Sequence, residues 1–501
     1  MITIKNEILR KQPNFWNNFL FHPTDAVEDP WGRRILDRVA ADGAIDTIRI
    51  YTMFEDIVYM DENGKLQYDF RLSDLRLDYL VEKGYNILLA YGGIPDCISS
   101  NTHVSTSVSK NKTRYKGKMW NTSPVSDIAL WEELCFEYTN HIVERYGIEE
   151  VSAWYCQCFN EPDGPPFFMS EYPSGTVDNQ YNVLRCTEYC RMYEAFEKAV
   201  RRVSKRIKIG GPSLAHRLPF LEQFLAYVKD NHLKMDYIAL HNYGTAPAMM
   251  NDGTRKISVQ NNIIKHQGYV DLIRKYGFDD VEVVVDEWGA AACGFFNREE
   301  APELMYRETE VFSSYFTKLI HECIHADFEI SKLMICLSGQ HEMVEDFTGF
   351  RNFFTLNFIA KPIYNSYILA SKLNDNLLAV ENDTDNLFVI PTKNENGEYA
   401  VMLTYASEHF EEDLPEMEKT LTFAEDISGK KVSIWCIDKN TTNPYRLYQK
   451  LGIETPDAED LKVLREEGRI KPIQEYVATG KEEITLTLTS NATYLVEVKN
   501  Q

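Results

Sequence analysis

The chain lacks paired C-x-x-C spacing, although it contains ten cysteines dispersed over 501 residues. Clustered cysteines with such spacing are typical of structural metal sites and of small secreted disulfide scaffolds. No apolar run reaches the roughly 20 residues that a membrane-spanning helix needs. The first 16 residues carry several charges and lack the continuous apolar core of a secretory signal. We therefore expect a cytoplasmic protein with reduced thiols and no membrane association.

Positive charge is also scarce, because 53 lysines and arginines stand against 76 acidic residues, a formal net charge of -23. The acidic residues are scattered along the chain, so the surface is expected to repel nucleic acid and anionic membranes. A neutral small molecule is easier to accommodate as a partner. The hydrophobic content of 44% is ample for one large domain and a smaller one.

From residue 14 to residue 372, short apolar runs alternate with longer amphipathic stretches. This pattern predicts parallel strands joined by covering helices. Eight repeats of strand and helix predict a closed (β/α)8 TIM barrel of the α/β class. The predicted strands are Phe15–His22, Asp46–Tyr51, Tyr85–Tyr91, Val151–Asn160, Ile207–Pro212, Tyr237–Tyr243, Val281–Glu287 and Leu333–Ser338.

After residue 372 the pattern changes to short alternating strands separated by turn-rich segments, such as Leu387–Thr392 and Tyr399–Tyr405. We expect a C-terminal antiparallel β-sandwich domain over residues 373–501, to which residues 1–13 add a strand. A fold alone implies no function, so we favour a stabilising role for this domain over a sugar-binding one.

Two glutamates stand at the ends of predicted barrel strands. Glu161 closes the fourth strand, and strand alternation turns it to the same face as Gln157 and Phe159; Glu287 closes the seventh strand on the face of Val285. Strand ends meet at one mouth of a barrel, where a desolvated carboxylic acid can protonate a leaving oxygen. If the reaction is hydrolysis of a glycosidic bond by double displacement, a second carboxylate about 5–5.5 Å away must attack the anomeric carbon of the sugar. The alternative is that each glutamate only accepts hydrogen bonds from a loop.

At these residues the chain resembles glycoside hydrolase family thirty-nine, the β-xylosidases and α-L-iduronidases, over nearly its whole length. The motifs that carry the resemblance are Asn160-Glu161-Pro162, Tyr115-Lys116-Gly117, Asn121-Thr122-Ser123-Pro124, Ile209-Gly210-Gly211-Pro212, Asp236–Tyr243, Lys361-Pro362-Ile363-Tyr364-Asn365, Asn443-Pro444-Tyr445 and Leu451-Gly452.

The resemblance implies a retaining exo-glycosidase with Glu161 as general acid/base and Glu287 as nucleophile, without metal or organic cofactor. It also implies sugar contacts at Asn160, His241 and Tyr243. Chemically, Asn160 can hydrogen-bond a sugar 2-hydroxyl, and Tyr243 can donate to the nucleophile. The family likeness further suggests a homo-oligomer, which no segment of this chain demonstrates.

Several positions depart from the xylosidase pattern. Arg49-Ile50-Tyr51-Thr52 stands where the xylosidases carry Arg-Phe-His-Gly, and Asp286-Glu287-Trp288 stands where they carry Thr-Glu-Phe. The acidic pair at 286–287 resembles the iduronidase branch, whereas the C-terminal domain resembles the xylosidases. Because only Arg49 is an evident cation near the mouth to bind a uronic acid, we favour a neutral pentoside, β-D-xylose. An arabinoside, galactoside, glucoside or iduronide remains an alternative substrate.

Aromatic residues in the two long loops after the third and fourth strands are candidates for stacking on sugar rings. Trp120 lies in the first of these loops, beside Met119 and Tyr115. With Arg49, Tyr51 and Trp288, it completes the predicted substrate-binding set.

A competing motif is His321-Glu322-Cys323-Ile324-His325, which matches the H-E-x-x-H zinc signature of metallopeptidases. In the barrel interpretation this helix packs outside the barrel, away from the mouth, and we treat the match as accidental. Cys156 and Cys158 are likewise interpreted as apolar fillers facing the helices. A non-catalytic sugar-binding barrel is a third hypothesis, against which both mouth carboxylates argue.

Overall fold

The computed structural model describes residues 1–12, 14–21, 27–103, 105–107, 119–172, 180–245, 256–292, 296–338, 343–480 and 483–501. His22, the motif Tyr115-Lys116-Gly117 and Gly339 lie outside these described residues. In the described part of the chain, no helix combines the length and apolarity needed to cross a bilayer.

The described strands are numbered in chain order. They are β1 (Ile2–Lys11), β2 (Asn18–Phe21), β3 (Thr47–Met53), β4 (Val58–Met60), β5 (Leu66–Tyr68), β6 (Asn86–Gly92), β7 (Ser105–Ser107), β8 (Met119–Asn121), β9 (Tyr155–Cys158), β10 (Lys208–Leu214), β11 (Tyr237–Thr245), β12 (Glu282–Ala291), β13 (Lys332–Leu337), β14 (Asn376–Asn382), β15 (Leu387–Lys393), β16 (Tyr399–Tyr405), β17 (Met417–Phe423), β18 (Lys431–Ile437), β19 (Gln474–Val477), β20 (Ile484–Leu488) and β21 (Ala492–Lys499).

The described α-helices are numbered in the same way. They are α1 (Pro30–Asp42), α2 (Arg71–Glu82), α3 (Ile128–Tyr146), α4 (Ile148–Val151), α5 (Gln180–Val203), α6 (Leu218–Asp230), α7 (Val259–Tyr276), α8 (Glu310–His325), α9 (Pro362–Ala370), α10 (Pro444–Leu451) and α11 (Ala458–Glu467).

Eight parallel strands close into a barrel in the order β10-β11-β12-β13-β2-β3-β6-β9, which confirms the predicted TIM barrel. Six of the eight predicted strands match closely, but the first and the fourth are shorter than expected, and the first begins only at Asn18. Helix α4 occupies the start of the predicted Val151–Asn160 segment, and β9 ends at Cys158. The lower barrel is filled by a small apolar cluster: Leu88, Tyr155, Tyr237, Ala239, Val284 and Met334.

The C-terminal domain is a nine-stranded sheet in the order β19-β18-β21-β16-β15-β14-β1-β17-β20. The N-terminal strand β1 joins this sheet, antiparallel to β14 and parallel to β17. The sheet is therefore mixed, and the expectation of a purely antiparallel domain is corrected at this one pair. A strand that arrives from the other end of the chain fills a place between two strands of the domain and is free of the local hairpin connections that impose antiparallel pairing.

Helix α8, which carries the H-E-x-x-H match, packs on the outside of the barrel against β15, β16 and β21. The His321 and His325 rings lie 4.2 Å apart, and His321 also meets the ring of Phe388 on β15. Among the described residues, no third ligand joins the two histidines. Of two carboxylates downstream that could complete a zinc site, Glu345 pairs with Arg298 at 2.5 Å, and Glu342 lies outside the described residues. The pair thus packs between the two domains.

Candidate active site

Glu161 reaches the barrel mouth through a turn and not through continued strand alternation. After β9 ends, Phe159 and Glu161 both have positive φ angles, 65° and 46°. Phe159 consequently packs among Trp120 and Phe168 instead of lining the barrel as expected. The Glu161 amide donates to Ser213 O at 3.0 Å, which holds the turn against β10. Left-handed conformations at residues with bulky side chains are uncommon and occur preferentially at functional sites.

Glu287 reaches the same mouth because of a bulge in β12. Leu240 pairs with Val285, but the next residue of β11, His241, pairs with Glu287, so that Asp286 is an extra residue. Below the bulge Val284 faces the barrel interior and Val285 faces the outer core, which corrects the expected inward position of Val285. A bulge re-aims the following side chains, and both Asp286 and Glu287 therefore face inward.

The two predicted catalytic glutamates lie close together. One carboxylate oxygen of each, and one ring nitrogen of His241, lie within 4.8 Å of one another. Both side chains are largely shielded from solvent, with 17% of the Glu161 side chain and 10% of the Glu287 side chain exposed. The structure thus brings together the pair on which the functional prediction depends.

Two residues donate to the Glu287 carboxylate, and the single proton of the Tyr51 hydroxyl is shared between this carboxylate and Asn160. Arg49 Nη1 donates to Oε1 at 2.8 Å, and the Tyr51 hydroxyl lies 3.1 Å from the same oxygen. The Tyr243 hydroxyl donates to Oε2 at 2.7 Å. Burial alone would raise the pKa of Glu287, but the charges of His241 and Arg49 and the Tyr243 hydrogen bond hold it well below its usual range. Glu287 is therefore ionised, as a nucleophile must be.

His241 links the two glutamates to a buried aspartate. Its Nδ1 lies 2.7 Å from Glu161 Oε1, and its Nε2 lies 2.9 Å from Ser213 Oγ, which in turn donates to Asp286 Oδ2 at 2.7 Å. Burial would lower the pKa of His241, yet the carboxylates of Glu287, Asp286 and Glu161 outweigh it and raise that pKa to about 10. The ring is thus a cation that donates from both nitrogens.

Glu161 has the opposite electrostatic character to Glu287. Burial raises the pKa of Glu161 above its usual value, and the charge of Glu287 adds to this, against the lowering effect of the charge and hydrogen bond of His241. A raised pKa favours the protonated form that a general acid needs. The pKa values of the two neighbouring carboxyl groups are therefore shifted in opposite directions because their surroundings differ.

Asn160 is oriented by its neighbours and keeps donor capacity. Its Oδ1 accepts from Arg49 Nη2 and from the Tyr51 hydroxyl, both at 2.8 Å. Its Nδ2 has no partner among the described residues. Because Asn160 Oδ1 faces these two groups, the other terminal atom of its side chain is the amide nitrogen. This nitrogen is available to donate to a ligand hydroxyl.

Three residues that were predicted to contact the substrate, Arg49, Trp288 and Trp120, are buried by other parts of the protein. Arg49 is fully buried, and its guanidinium contacts Glu287, Asn160, Ser213 and Asp286. It therefore holds the nucleophile in place. Trp288 follows the bulge, where alternation turns it outward to stack on Phe316 at 5.7 Å. Trp120 is 1% exposed and packs edge-on behind Tyr51. Neither tryptophan offers a ring face to a sugar at the mouth.

Sequence reasoning missed Ser213, Asp286 and Arg351 as functional residues. Ser213 is the extra residue of a second bulge, in β10, and has a φ of 56°. Arg351 is buried with its guanidinium 4.7 Å from the Tyr243 ring, and its Nη2 contacts Cys336 Sγ at 2.9 Å. The doublet at 286–287 was a signal for Asp286, but no sequence pattern signalled the other two.

A metal ion fits this cluster poorly, although Glu161, His241 and Glu287 are close enough to be considered as ligands. The Nδ1 of His241 faces a glutamate and its Nε2 faces Ser213, and the raised pKa keeps both nitrogens protonated. A metal requires a free imidazole lone pair. The donor set instead suits acid/base and nucleophilic chemistry.

Comparison with known proteins identifies the family to which the chain belongs. The sequence model of the family described as "Glycosyl hydrolases family 39" matches residues 2–482. The chain is 22% identical over 460 residues to a "Beta-xylosidase" of Caldicellulosiruptor saccharolyticus, covering 89% of this chain and 86% of that protein. It is 21% identical over 475 residues to a "Beta-xylosidase" of Geobacillus stearothermophilus, covering 91% and 84%.

Among solved structures, a monomeric beta-xylosidase from Caulobacter crescentus superimposes with a TM-score of 0.81 at 15% identity, over 100% of this chain and 99% of that one. At this identity the likeness speaks for the fold alone. Since the family match spans nearly the whole chain, the protein belongs to glycosyl hydrolase family 39 and is a glycoside hydrolase.

Proposed function

We propose that this protein is a retaining exo-glycosidase that removes a terminal β-D-xylosyl residue by double displacement. The observation that carries the proposal is the distance of at most 4.8 Å between carboxylate oxygens of Glu161 and Glu287. Retaining enzymes place their carboxyl groups about 5–5.5 Å apart, whereas inverting enzymes need about 6.5–9.5 Å to admit water.

In the proposed first step, Glu161 gives its proton to the glycosidic oxygen while Glu287 attacks the anomeric carbon, and the leaving alcohol departs. In the second step Glu161, now ionised, takes a proton from water, which attacks the glycosyl ester and frees Glu287. Asn160 Nδ2 is the proposed donor to the sugar 2-hydroxyl. The low pKa of Glu287 and the raised pKa of Glu161 support these roles.

The preference for xylose is supported by the two relatives named β-xylosidase, which the chain matches over more than four fifths of their lengths. It is tested with aryl xylosides, arabinosides, galactosides, glucosides and iduronides, with product configuration followed by NMR. We expect fastest release from the β-xyloside and retention at the anomeric carbon. An inverted first product contradicts double displacement, and faster release of another sugar contradicts the choice of xylose.

A second candidate, an exo-acting uronosidase of the iduronidase type, is favoured by Arg351. Its guanidinium is buried, and among the described residues it has no carboxylate partner within salt-bridge distance. A buried arginine without an acidic partner suits a carboxylate ligand. If the substrate is a uronoside, Arg351→Met lowers kcat/KM for the iduronide about 100-fold, as expected for loss of a buried charged hydrogen bond. A xyloside, which has no carboxylate, is affected far less.

The catalytic assignment is tested by removing each carboxylate. We expect Glu287→Ala to lower kcat about 10⁴-fold or more, because no nucleophile remains. Glu161→Ala should spare the first step with good leaving groups and accumulate the glycosyl-enzyme. Azide, which attacks without needing a base, should then restore turnover and yield a glycosyl azide of retained configuration.

Glu282→Ala is the matched control, since Glu282 begins the same strand at the opposite end of the barrel and pairs with Lys208 at 2.9 Å. It should keep wild-type kcat. Wild-type activity in Glu287→Ala, or absence of azide products with Glu161→Ala, contradicts the assigned roles.

A further inference from the structure

Three basic residues lie on the segments that follow β10 and β11, at the end of the barrel that carries the acid/base. His216 and Arg217 precede α6, and Lys265 lies in α7 with its Nζ 3.4 Å from Ala215 O. His216 is exposed, and the other two are partly exposed. We refer to His216, Arg217 and Lys265 as the basic cluster.

Lys265 is the member of the basic cluster that interacts electrostatically with the acid/base. Burial lowers the pKa of Lys265 to about 8, and the carboxylates that act against this are Asp163 and Glu161. The segment that carries His216 and Arg217 starts directly after β10, where Ser213 O accepts from the Glu161 amide at 3.0 Å. Groups next to the acid/base face the part of the substrate that leaves, because the acid/base protonates the leaving oxygen.

Arg217 lacks a partner in the described part of the chain. Its guanidinium has no hydrogen bond or ion pair there, and its Nε is shielded from solvent and unsatisfied. Buried donors without a partner are uncommon in folded proteins and call for an explanation such as an absent ligand. In a chain of net charge -23, an unpaired arginine at this place is a specific feature.

The nearby acid, Asp163, does not neutralise the cluster by direct pairing. Its carboxylate accepts three backbone hydrogen bonds, from Ala215, His216 and Arg217, at 2.8–3.0 Å. Asp163 is 1% exposed and thus braces the loop from below. Among the described residues, Lys265 contacts a carbonyl oxygen and the face of Tyr269, and no carboxylate pairs with it.

We propose that the basic cluster is a subsite for an anionic group on the leaving part of the substrate, either the carboxylate of a uronic acid or the sulfate of a sulfated sugar. The proposal rests on the proposed glycosidase function and names the substrate class of that site. A guanidinium and an ammonium group supply several directed donors to an oxyanion, and His216 adds a neutral donor.

The test uses aryl β-xylosides whose leaving phenol carries a carboxylate or a sulfonate, each compared with its uncharged carboxamide or sulfonamide. The measured quantity is the ratio of kcat/KM for the charged compound to that for its uncharged counterpart. We expect Arg217→Gln and Lys265→Gln each to lower this ratio about tenfold, as for loss of a partly exposed charged hydrogen bond. Added salt should lower the wild-type ratio as well.

Arg206→Gln is the matched control, because Arg206 is exposed and pairs with Glu149 away from the mouth. It should leave the ratio unaltered. A larger effect in the carboxylate pair assigns a uronic acid, and a larger effect in the sulfonate pair assigns a sulfated sugar. Equal ratios in wild type and both cluster variants overturn the subsite.

Failure of the proposed function is distinguished by the uncharged xylosides, which are then not hydrolysed at all. In that case the subsite is tested by the binding of free 4-hydroxybenzoate and 4-hydroxybenzenesulfonate, which is measured by ligand-detected NMR. Weaker binding to Arg217→Gln than to Arg206→Gln supports the subsite, and equal binding overturns it.

Discussion

At the scale of single residues, the site depends on a chain of hydrogen bonds that runs from Asp286 through Ser213 and His241 to Glu161. Each link is a hydrogen bond of 2.7–2.9 Å between side chains that exclude water. The cationic ring stands between the acid/base and the nucleophile and stabilises negative charge on both. His241 is thus a positioning and electrostatic residue for both carboxylates.

Replacing His241 should shift the whole pH profile of kcat/KM to higher pH. The ring lowers the pKa of Glu161 and of Glu287, so His241→Gln raises both. The acid limb, which follows ionisation of Glu287, and the alkaline limb, which follows loss of the Glu161 proton, should both shift to higher pH. Because the carboxyl groups of Glu161 and Glu287 interact, each limb reports an apparent pKa of the pair and not the pKa of one residue. A profile that only falls in height contradicts this role.

At the scale of secondary structure, two bulges that flank β11 assemble the site. Pro212 pairs with Ala239 and Leu214 with Leu240, which leaves Ser213 as the extra residue of β10, and Asp286 has the same place in β12. Each bulge adds one inward polar residue beside His241, where regular alternation would have turned it outward. Bulges therefore supply the acid and the hydroxyl of the buried chain.

The close approach of β11 and β12 above the bulge requires a glycine. A Cβ at Gly289 would lie 3.1 Å from both the Tyr243 ring and Arg351 Nη1. We expect Gly289→Ala to shift the Tyr243 ring by a few tenths of an ångström, to lengthen the hydrogen bond from its hydroxyl to Glu287, and to lower kcat/KM about tenfold. Overpacking should also destabilise the protein by about 1–3 kcal/mol.

Gly268→Ala in α7 is the control for that variant, because its Cβ would make only an ordinary contact with Leu218 at 3.8 Å. Alanine in a helix interior stabilises by about 0.5–1 kcal/mol relative to glycine. Gly268→Ala should therefore keep wild-type kcat/KM and raise the thermal unfolding temperature. Gly289→Ala should lower both quantities. Full activity in Gly289→Ala contradicts the packing argument.

At the scale of the whole molecule, the barrel and the C-terminal sheet share a polar interface along α8. Thr317 on α8 lies 3.2 Å from Thr493 Oγ1 and accepts from Thr404 at 2.6 Å, and both of these partners belong to the sheet. Glu310 at the start of α8 is bound by Asn443 at 2.7 Å and by Arg446 at 2.8 Å. Such buried polar contacts between domains favour a single cooperative unit.

Removing Arg446 should weaken this interface. Glu310 is nearly buried, and loss of its cation leaves an uncompensated charge, although Arg446 is itself 41% exposed. We expect Arg446→Met to destabilise the protein by about 1–3 kcal/mol, less than a fully buried pair. Scanning calorimetry should show one transition at a lower Tm. Lys462→Met, which breaks an exposed pair with Glu459, is the control and should leave Tm within error.

The amino-acid sequence by itself determined the barrel, its strands and the two glutamates at the strand ends. Periodicity of apolar residues is a local property, so it can be recognised without coordinates, and six strands were found nearly in place. The N-terminal strand was expected in the C-terminal domain, but its parallel pairing with β17 depends on a partner more than 400 positions away. The roles assigned to the site residues stay predictions until the variants are measured.

Only the tertiary structure decided which side chains meet. Strict alternation predicted Val285 and Phe159 inside the barrel, but the bulge at Asp286 and the positive φ at Phe159 reversed both. Such irregularities arise from pairing with neighbouring strands and leave no local pattern in the sequence. The bulge also places Trp288 among the helices and adds Asp286 to the carboxylates that Arg49 binds, so that Arg49 is a buried support of the nucleophile and not a substrate contact.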